Sequence, residues 1–279
     1  MSKWVKYLEV SRSGYYEWLS KREEIAASKK AYLEKVKEIF KESGGTYGPD
    51  RICGVLRTKG HKASYSKVAV LMAEMGLSSI HNRHRSRSLT DSSKARDESY
   101  KNLVRGESFT LPYQAICSDI SYIRTDEGFL YLCIVKDIVT GDILGQSRGS
   151  RMKQELVINA FINAHARHPL GKDTVFHSDR GSQYTSKKFM ELLSSLGIKQ
   201  SFSRVGMPGD NTWAESFFRA LKKECIHWSN FSTRKEADFA IFTCIESFYN
   251  TKRVQKRLGY ISPAAYRKSL LGQERKSVA

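Results

Sequence analysis

The sequence predicts an α/β domain, a mixed sheet flanked by helices, preceded by an all-α region with helix-turn-helix grammar. Two observations carry this. Before residue 90, apolar residues recur every three to four positions in short blocks that end at glycines; after residue 110, they alternate or run together over strand lengths. The later segments also follow the order β-β-β-α-β-α-β-α, the pattern of hairpin strands leading into strand–helix units.

Residues 1–27 form a helical segment in which Ser11 or Ser13 caps a short helix carrying Tyr15, Tyr16 and Trp18. A second helix runs from 28 to 42 with Leu33, Val36, Ile39 and Phe40 on one face, stopped by Gly44 and Gly45. A third fits 49 to 59, with Pro49 early and Ile52, Val55 and Leu56 inward. After "GHKAS", Ser64 or Ser66 caps a helix whose apolar face is Val68, Leu71, Met72 and Met75, stopped by Gly76. Short helices with a tight turn before the last one assign 28–90 to a helix-turn-helix-like DNA-binding domain. Lys62 and Lys67, then Arg83, Arg85 and Arg87 in "HNRHRSR", stand where phosphates would pass. A helical scaffold that touches no DNA has the same periodicity. Residues 91–110 are polar and serine-rich, a linker.

From 111 to 228 the pattern is that of a core domain. "YQAICSDISYI" alternates, "GFLYLCIVKDIV" is an apolar run, and "TGD" turns the chain into "ILGQSRGS". "MKQELVINAFINAHARH" is an amphipathic helix, "DTVFHSD" a buried strand, "SKKFMELLSSLG" a helix and "IKQSFS" a strand. "GDNTWAESFFRALKKE" is the next helix, and 229–279 is a basic helical extension.

Lys and Arg number 47 against 29 Asp and Glu, a formal charge of +18, which points to a polyanionic partner. The excess is concentrated: residues 51–90 and 251–279 each hold eight basic side chains against one Glu, whereas 101–150 hold five basic and six acidic. A basic periphery around a carboxylate-bearing centre suits a protein that grips phosphates at its edges and does metal chemistry in the middle. Five cysteines without a CxxC pair predict a reduced chain with no structural zinc. With neither a bilayer-length apolar run nor a signal-peptide core, the expectation is a cytoplasmic, nucleoid-associated protein with no membrane partner.

Asp119 lies inside the first strand among Ile116, Cys117, Ile120 and Tyr122, where an ionised group is costly. Asp179 ends the fourth strand, and strand C-termini are where open α/β sheets build sites. Glu215 follows on a helix, with 59 and then 35 residues between successive acids. If the three converge, they make an oxygen-only site suited to Mg²⁺ or Mn²⁺, with two ions roughly 4 Å apart for an in-line phosphoryl displacement. Lys222, seven residues after Glu215, returns to within about 20° of the same helix face, while Phe217, Phe218 and Leu221 face the core. Asn211 stands where it could cap the helix. His177 and Ser178 shape the strand end; Arg180, Ser182, Gln183 and Tyr184 could reach DNA. Asp137 either supports the site from behind or starts a hairpin.

"DISYI", "HSDRGSQY", "GDNTWAESFFRALKKE" and "FYNTKRVQKRLGYISPAAY" together resemble the catalytic open reading frame (OrfB type) of bacterial insertion-sequence transposases, which share the retroviral integrase core. "TYGPDRICGVLRTKG" through "LMAEMGL" resembles their helical domain, so the likeness spans most of the chain. It implies a ribonuclease H-like fold, Asp119, Asp179 and Glu215 as catalytic metal ligands, and Lys222 as the family's basic residue after the glutamate. It also implies metal-dependent cleavage of element ends and joining of the freed 3′-hydroxyl to target DNA, by a homo-oligomer on DNA and with the product of an upstream frame as a further partner. Ile116 and Thr212 stand where the family commonly has Trp and Ala. Two other readings remain open from the residues: a DNA-binding regulator or relic without catalysis, and a ribonuclease H-like nuclease that hydrolyses without joining. "KRVQKRLGY" and the last residues could track DNA backbone or form a frayed basic tail.

Overall fold

The computed structural model describes residues 11–82, 100–204, 207–226 and 229–278. It divides into two compact units, one ending at Asn82 and the other starting at Arg83; Arg83, Arg85 and Arg87 lie outside the described residues.

The first unit contains α1 (Arg12–Glu42), α2 (Pro49–Thr58) and α3 (Tyr65–Glu74). The Ser11 hydroxyl caps α1, accepting the Gly14 amide at 3.0 Å. The expected break between a short helix and a second one near residue 28 is absent. The intervening "SKREEIAAS" holds good helix formers and neither Gly nor Pro, so nothing stops propagation. Val36 and Ile39 are buried with Ile52 and Leu56 of α2 and Val68, Leu71 and Met72 of α3. Ser64 caps α3 by accepting the Lys67 amide.

The second unit is built on β1 (Ala115–Thr125), β2 (Gly128–Asp137), β3 (Ile143–Gly149), β4 (Val175–Ser178) and β5 (Lys199–Phe202), in the spatial order β3-β2-β1-β4-β5. β1, β2 and β3 pair antiparallel, while β4 and β5 run parallel to β1. Side chains alternate between the faces of the sheet. One face puts Ile116, Cys133, Val135 and Phe176 against α4 (Gln154–Arg167) and α5 (Lys187–Ser195). The other puts Cys117, Leu132, Ile134 and Val175 against α6 (Thr212–Leu221) and α7 (Arg234–Thr243). Gly145 lets α4 lie directly on β3, because a methyl there would strike the Ala160 carbonyl and the Ala164 amide.

Asp137 belongs to the β2–β3 hairpin: its carboxylate accepts from the Thr140 amide and hydroxyl and from the Tyr113 amide. α6 continues as a π turn over Lys222–Ile226, and α7 as another over Cys244–Tyr249. Cys225 and Cys244, from these two turns, are joined in a disulfide, correcting the expectation of an all-reduced chain; Cys53, Cys117 and Cys133 are free and buried. α8 (Pro263–Val278) closes the chain. The basic residues before and within it are partly internal. Arg253 forms a two-pronged pair with Glu224, Arg257 donates to the Val139 carbonyl, and Arg267 pairs with Asp142 at 2.6 Å. Among the described residues no helix is long and apolar enough to cross a membrane.

Candidate active site

Register explains how the two aspartates meet. The parallel pairing that sets Ala115 opposite Val175 and Cys117 opposite His177 carries Asp119 to the level of Asp179. Both belong to the odd-numbered face of their strands, the face on which α6 packs with Ala214, Phe217, Phe218 and Leu221 buried. Glu215 lies one residue from that anchor, half-buried.

Asp119 feels the charges of the other two acids. Burial raises the Asp119 pKa to about 7; the charge of Asp179 and, more weakly, that of Glu215 add to this, while the Ile120 amide and the Lys222 ammonium oppose it. Asp179 is exposed at its strand end, yet the protein crowded around its carboxyl also raises it, against a hydrogen bond from the Gly181 amide at 2.9 Å. Burial lowers the Lys222 pKa and Asp119 lifts it. Each aspartate thus has one oxygen held by a backbone amide, Ile120 on Asp119 at 2.8 Å and Gly181 on Asp179. Among the described residues the other oxygen accepts no hydrogen bond.

The loop before α6 is tied to the sheet by polar groups. His177 is buried, with Nδ1 2.8 Å from the Ser201 hydroxyl and Nε2 3.1 Å from both the Ser203 hydroxyl and the Asp210 carbonyl. Burial depresses its pKa to about 4, so the ring is neutral and donates from Nε2 to that carbonyl. The Asp210 carboxylate receives a fork from Arg204 and the Asn102 amide, which hold it well below the usual carboxylate range. Asn211 occupies the N-cap position, but its side chain does not cap. It reaches across to donate to the Ser118 carbonyl at 3.2 Å, beside Asp119, and its buried Oδ1 has no partner. The strand carbonyl outcompetes the helix amide for it. Lys136, buried on the adjoining strand, donates to the Trp213 carbonyl in the first turn of α6.

Residues 110–208 and 215–271 each match the integrase core domain family, and residues 27–85 match a helix-turn-helix-like domain family. The chain is 38% identical over 237 residues to the transposase for insertion sequence element IS904 of Lactococcus lactis, covering 84% of this chain and 92% of that one. It is 31% identical to the InsF transposase for IS3A of Escherichia coli K12, over 94% and 91% of the two chains. This chain belongs to the insertion-sequence transposases with an integrase core. Similar solved folds include a simian T-cell lymphotropic virus intasome (16% identity, 77% of this chain and 70% of that one, TM-score 0.48). The catalytic core of BIV integrase is another (16%, 60% and 99%, TM-score 0.45).

In this transposase the residues read as DNA contacts have different settings. Lys222 is exposed, its ammonium 5.3 Å from the centre of the Tyr122 ring. Arg180 turns inward, donating to the Ser203 and Tyr100 carbonyls. Gln183 donates to the Met152 carbonyl, and Tyr184 is fully buried with its hydroxyl 2.9 Å from that of Ser118. In the helical unit of the transposase, Lys62 and Lys67 are exposed, with the Lys67 ammonium 4.4 Å from the centre of the Tyr32 ring. Sequence reasoning missed Asn102, Lys136, Ser201 and Arg204, whose contacts hold the α6 loop. Only the burial of Lys136 in an apolar run, "LCIVKDIV", is a local signal.

Proposed function

We propose that this transposase is a polynucleotidyl transferase that cleaves the ends of a mobile element and joins the freed 3′-hydroxyl to a second phosphodiester, with Asp119, Asp179 and Glu215 as its catalytic residues. The observation that supports this best is geometric: the β1–β4 register carries Asp119 to the level of Asp179, on the face where α6 carries Glu215, and the Asp119 carboxyl, raised chiefly by burial, also feels the charges of Asp179 and, more weakly, Glu215. Like charges brought together in a partly buried place cost stability, and a protein keeps such an arrangement where a cation compensates it. Among the described residues no three His, Cys, Asp or Glu side chains are drawn in to ligating distance. The donor chemistry nevertheless fits: three carboxylates, no thiolate or imidazole, and an aspartate oxygen left open on each strand. Such oxygen-only ligands suit Mg²⁺ or Mn²⁺. When bound there, two divalent ions would activate the attacking oxygen and stabilise the leaving one.

The chain's own residues prepare that site. The Ile120 and Gly181 amides orient the two aspartates, and the Phe217, Phe218 and Leu221 anchor sets the height of Glu215. The Lys222 ammonium, held near Asp119 and only partly hydrated, is placed to take a DNA phosphate. The region 28–90, including Lys62 and Lys67, would bind element DNA and 91–110 would link it to the core of 111–228, with 229–279 as its basic extension. Joining two ends calls for a homo-oligomer on DNA, and an upstream-frame product fits as a further partner.

The test is Mg²⁺- or Mn²⁺-dependent nicking and joining of DNA carrying the element's ends, with wild type and Asp179→Asn compared. Joined product that vanishes in the variant supports the reading. Nicking without joining in the wild type supports a hydrolase instead, and equal DNA binding with no cutting by either protein supports a binding module.

A further inference from the structure

Three residues beyond Asp119, the end of the sheet carries an uncovered aromatic surface. The β1–β2 register pairs Tyr122 with Tyr131 and Arg124 with Phe129, so these side chains share the face that further along buries Cys133 and Val135 under helices. Here Tyr122 is 53% exposed and Phe129 44%. Their ring centres are 4.9 Å apart, and Tyr131 continues the row at 6.4 Å from Phe129. Cations flank it: the Lys222 ammonium lies on Tyr122, and Arg124 is exposed with no ion pair among the described residues.

The surface is rigidly backed. Arg234, at the start of α7, donates through Nε to the Phe129 carbonyl at 3.1 Å and also to the Glu127 carbonyl, while its own amide donates to the Glu127 carboxylate. The Asp126 amide donates to the Phe231 carbonyl. A hairpin tip fastened at four points holds the backbone beneath Phe129 in place, which lowers the ordering cost on binding.

Exposed rings between cations, on a strongly basic chain, match the chemistry of unpaired nucleic acid. Bases stack on aromatic faces whatever their sequence, and the phosphates between them meet ammonium and guanidinium groups. A duplex hides its base faces, and a protein surface offers no regular anions for Lys222 and Arg124. We propose that Tyr122 and Phe129 form a stacking platform for unpaired nucleobases of a DNA strand end lying next to the carboxylates, with Lys222 and Arg124 on its phosphates. This rests on the DNA-joining function proposed above.

The experiment measures binding in chelator, so that no cleavage intervenes. The probes are a blunt duplex carrying an element end and the same duplex extended by an unpaired thymidine tail containing one 2-aminopurine. Wild type is expected to bind the tailed form more tightly and to quench the 2-aminopurine. Phe129→Ala is expected to lose about 5- to 100-fold of the tail's advantage together with the quenching, while Tyr122→Phe keeps both. A tail preference absent in wild type or unchanged in Phe129→Ala overturns the proposal. So does a Phe129→Ala protein whose particle mass in solution halves, since a second copy would then cover the patch. A wild type that joins ends but ignores the tail refutes the platform alone; one that stacks the tail but never joins refutes the transferase reading alone.

Discussion

The pair formed by Arg253 and Glu224 links the C-terminal segment to the helix that bears Glu215 and Lys222, and its removal has a calculable cost. The guanidinium uses Nε and a terminal nitrogen on the two carboxylate oxygens, both at 2.7 Å, with 9% and 1% of the two side chains exposed. Glu224→Ala leaves the guanidinium buried with its main counter-charge gone, which costs about 3–5 kcal/mol. At ~2–4 °C per kcal/mol for a chain of this size, the unfolding midpoint should fall by roughly 6–20 °C. Arg253→Met alone should cost a similar amount, because it strands the carboxylate. The double variant Glu224→Leu/Arg253→Met should recover most of the loss, since two apolar side chains replace two charges that had both been desolvated. Urea unfolding followed by circular dichroism gives the four stabilities, and the double-mutant cycle isolates the coupling. Single variants that each cost under about 1 kcal/mol, the range of exposed pairs, would refute the reasoning, as would a double variant whose loss is the sum of the two.

Three further outcomes follow from the same geometry. With Asp119 raised to about 7 from a usual value near 3.9, the metal-free native state keeps a proton that the unfolded chain has released. In chelator, the contribution of Asp119 to stability therefore falls as pH rises from about 4 to 7 and levels off above that, opposite in sign to that of His177, whose pKa is depressed to about 4. Asp119→Asn should flatten this slope and Mg²⁺ should offset it at neutral pH; parallel midpoint-versus-pH curves for wild type and variant would contradict the assignment. Asn211→Ala should lower single-turnover joining by about 100-fold through loss of the tie to Ser118, yet change stability by no more than about 1–2 kcal/mol, because the same truncation removes a buried oxygen that has no partner. A large loss of stability with normal joining would reverse that account. Opening the Cys225–Cys244 bridge, which spans 19 positions, should cost about 3 kcal/mol; a wild-type midpoint that reductant does not move would show that the bridge does not form.

The order of strands and helices, the position of the aspartates in the sheet and the apolar anchor of α6 were legible from the chain alone. All three are expressed as local periodicity, and period two against period 3.6 survives whatever lies opposite. Asp119 stood out for the same reason, as a charge in an alternating strand, and His177 was legible as a residue that shapes a strand end. What the residues could not show is which distant group each polar side chain chooses. Asn211 had the position of a cap but bonds Ser118, because packing brings that strand carbonyl within reach. Arg180 and Tyr184 had the composition of DNA contacts, yet one is spent on backbone carbonyls and the other is buried. Arg253 read as part of a basic DNA-tracking run until the fold set Glu224 against it, and the aromatic row of Tyr122 and Phe129 stands open because, among the described residues, no helix covers that face at the end of β1 and β2. Apolar burial is non-directional and can be inferred from pattern. Hydrogen bonds and ion pairs need atoms within about 3 Å in a given direction, and only the tertiary structure supplies that.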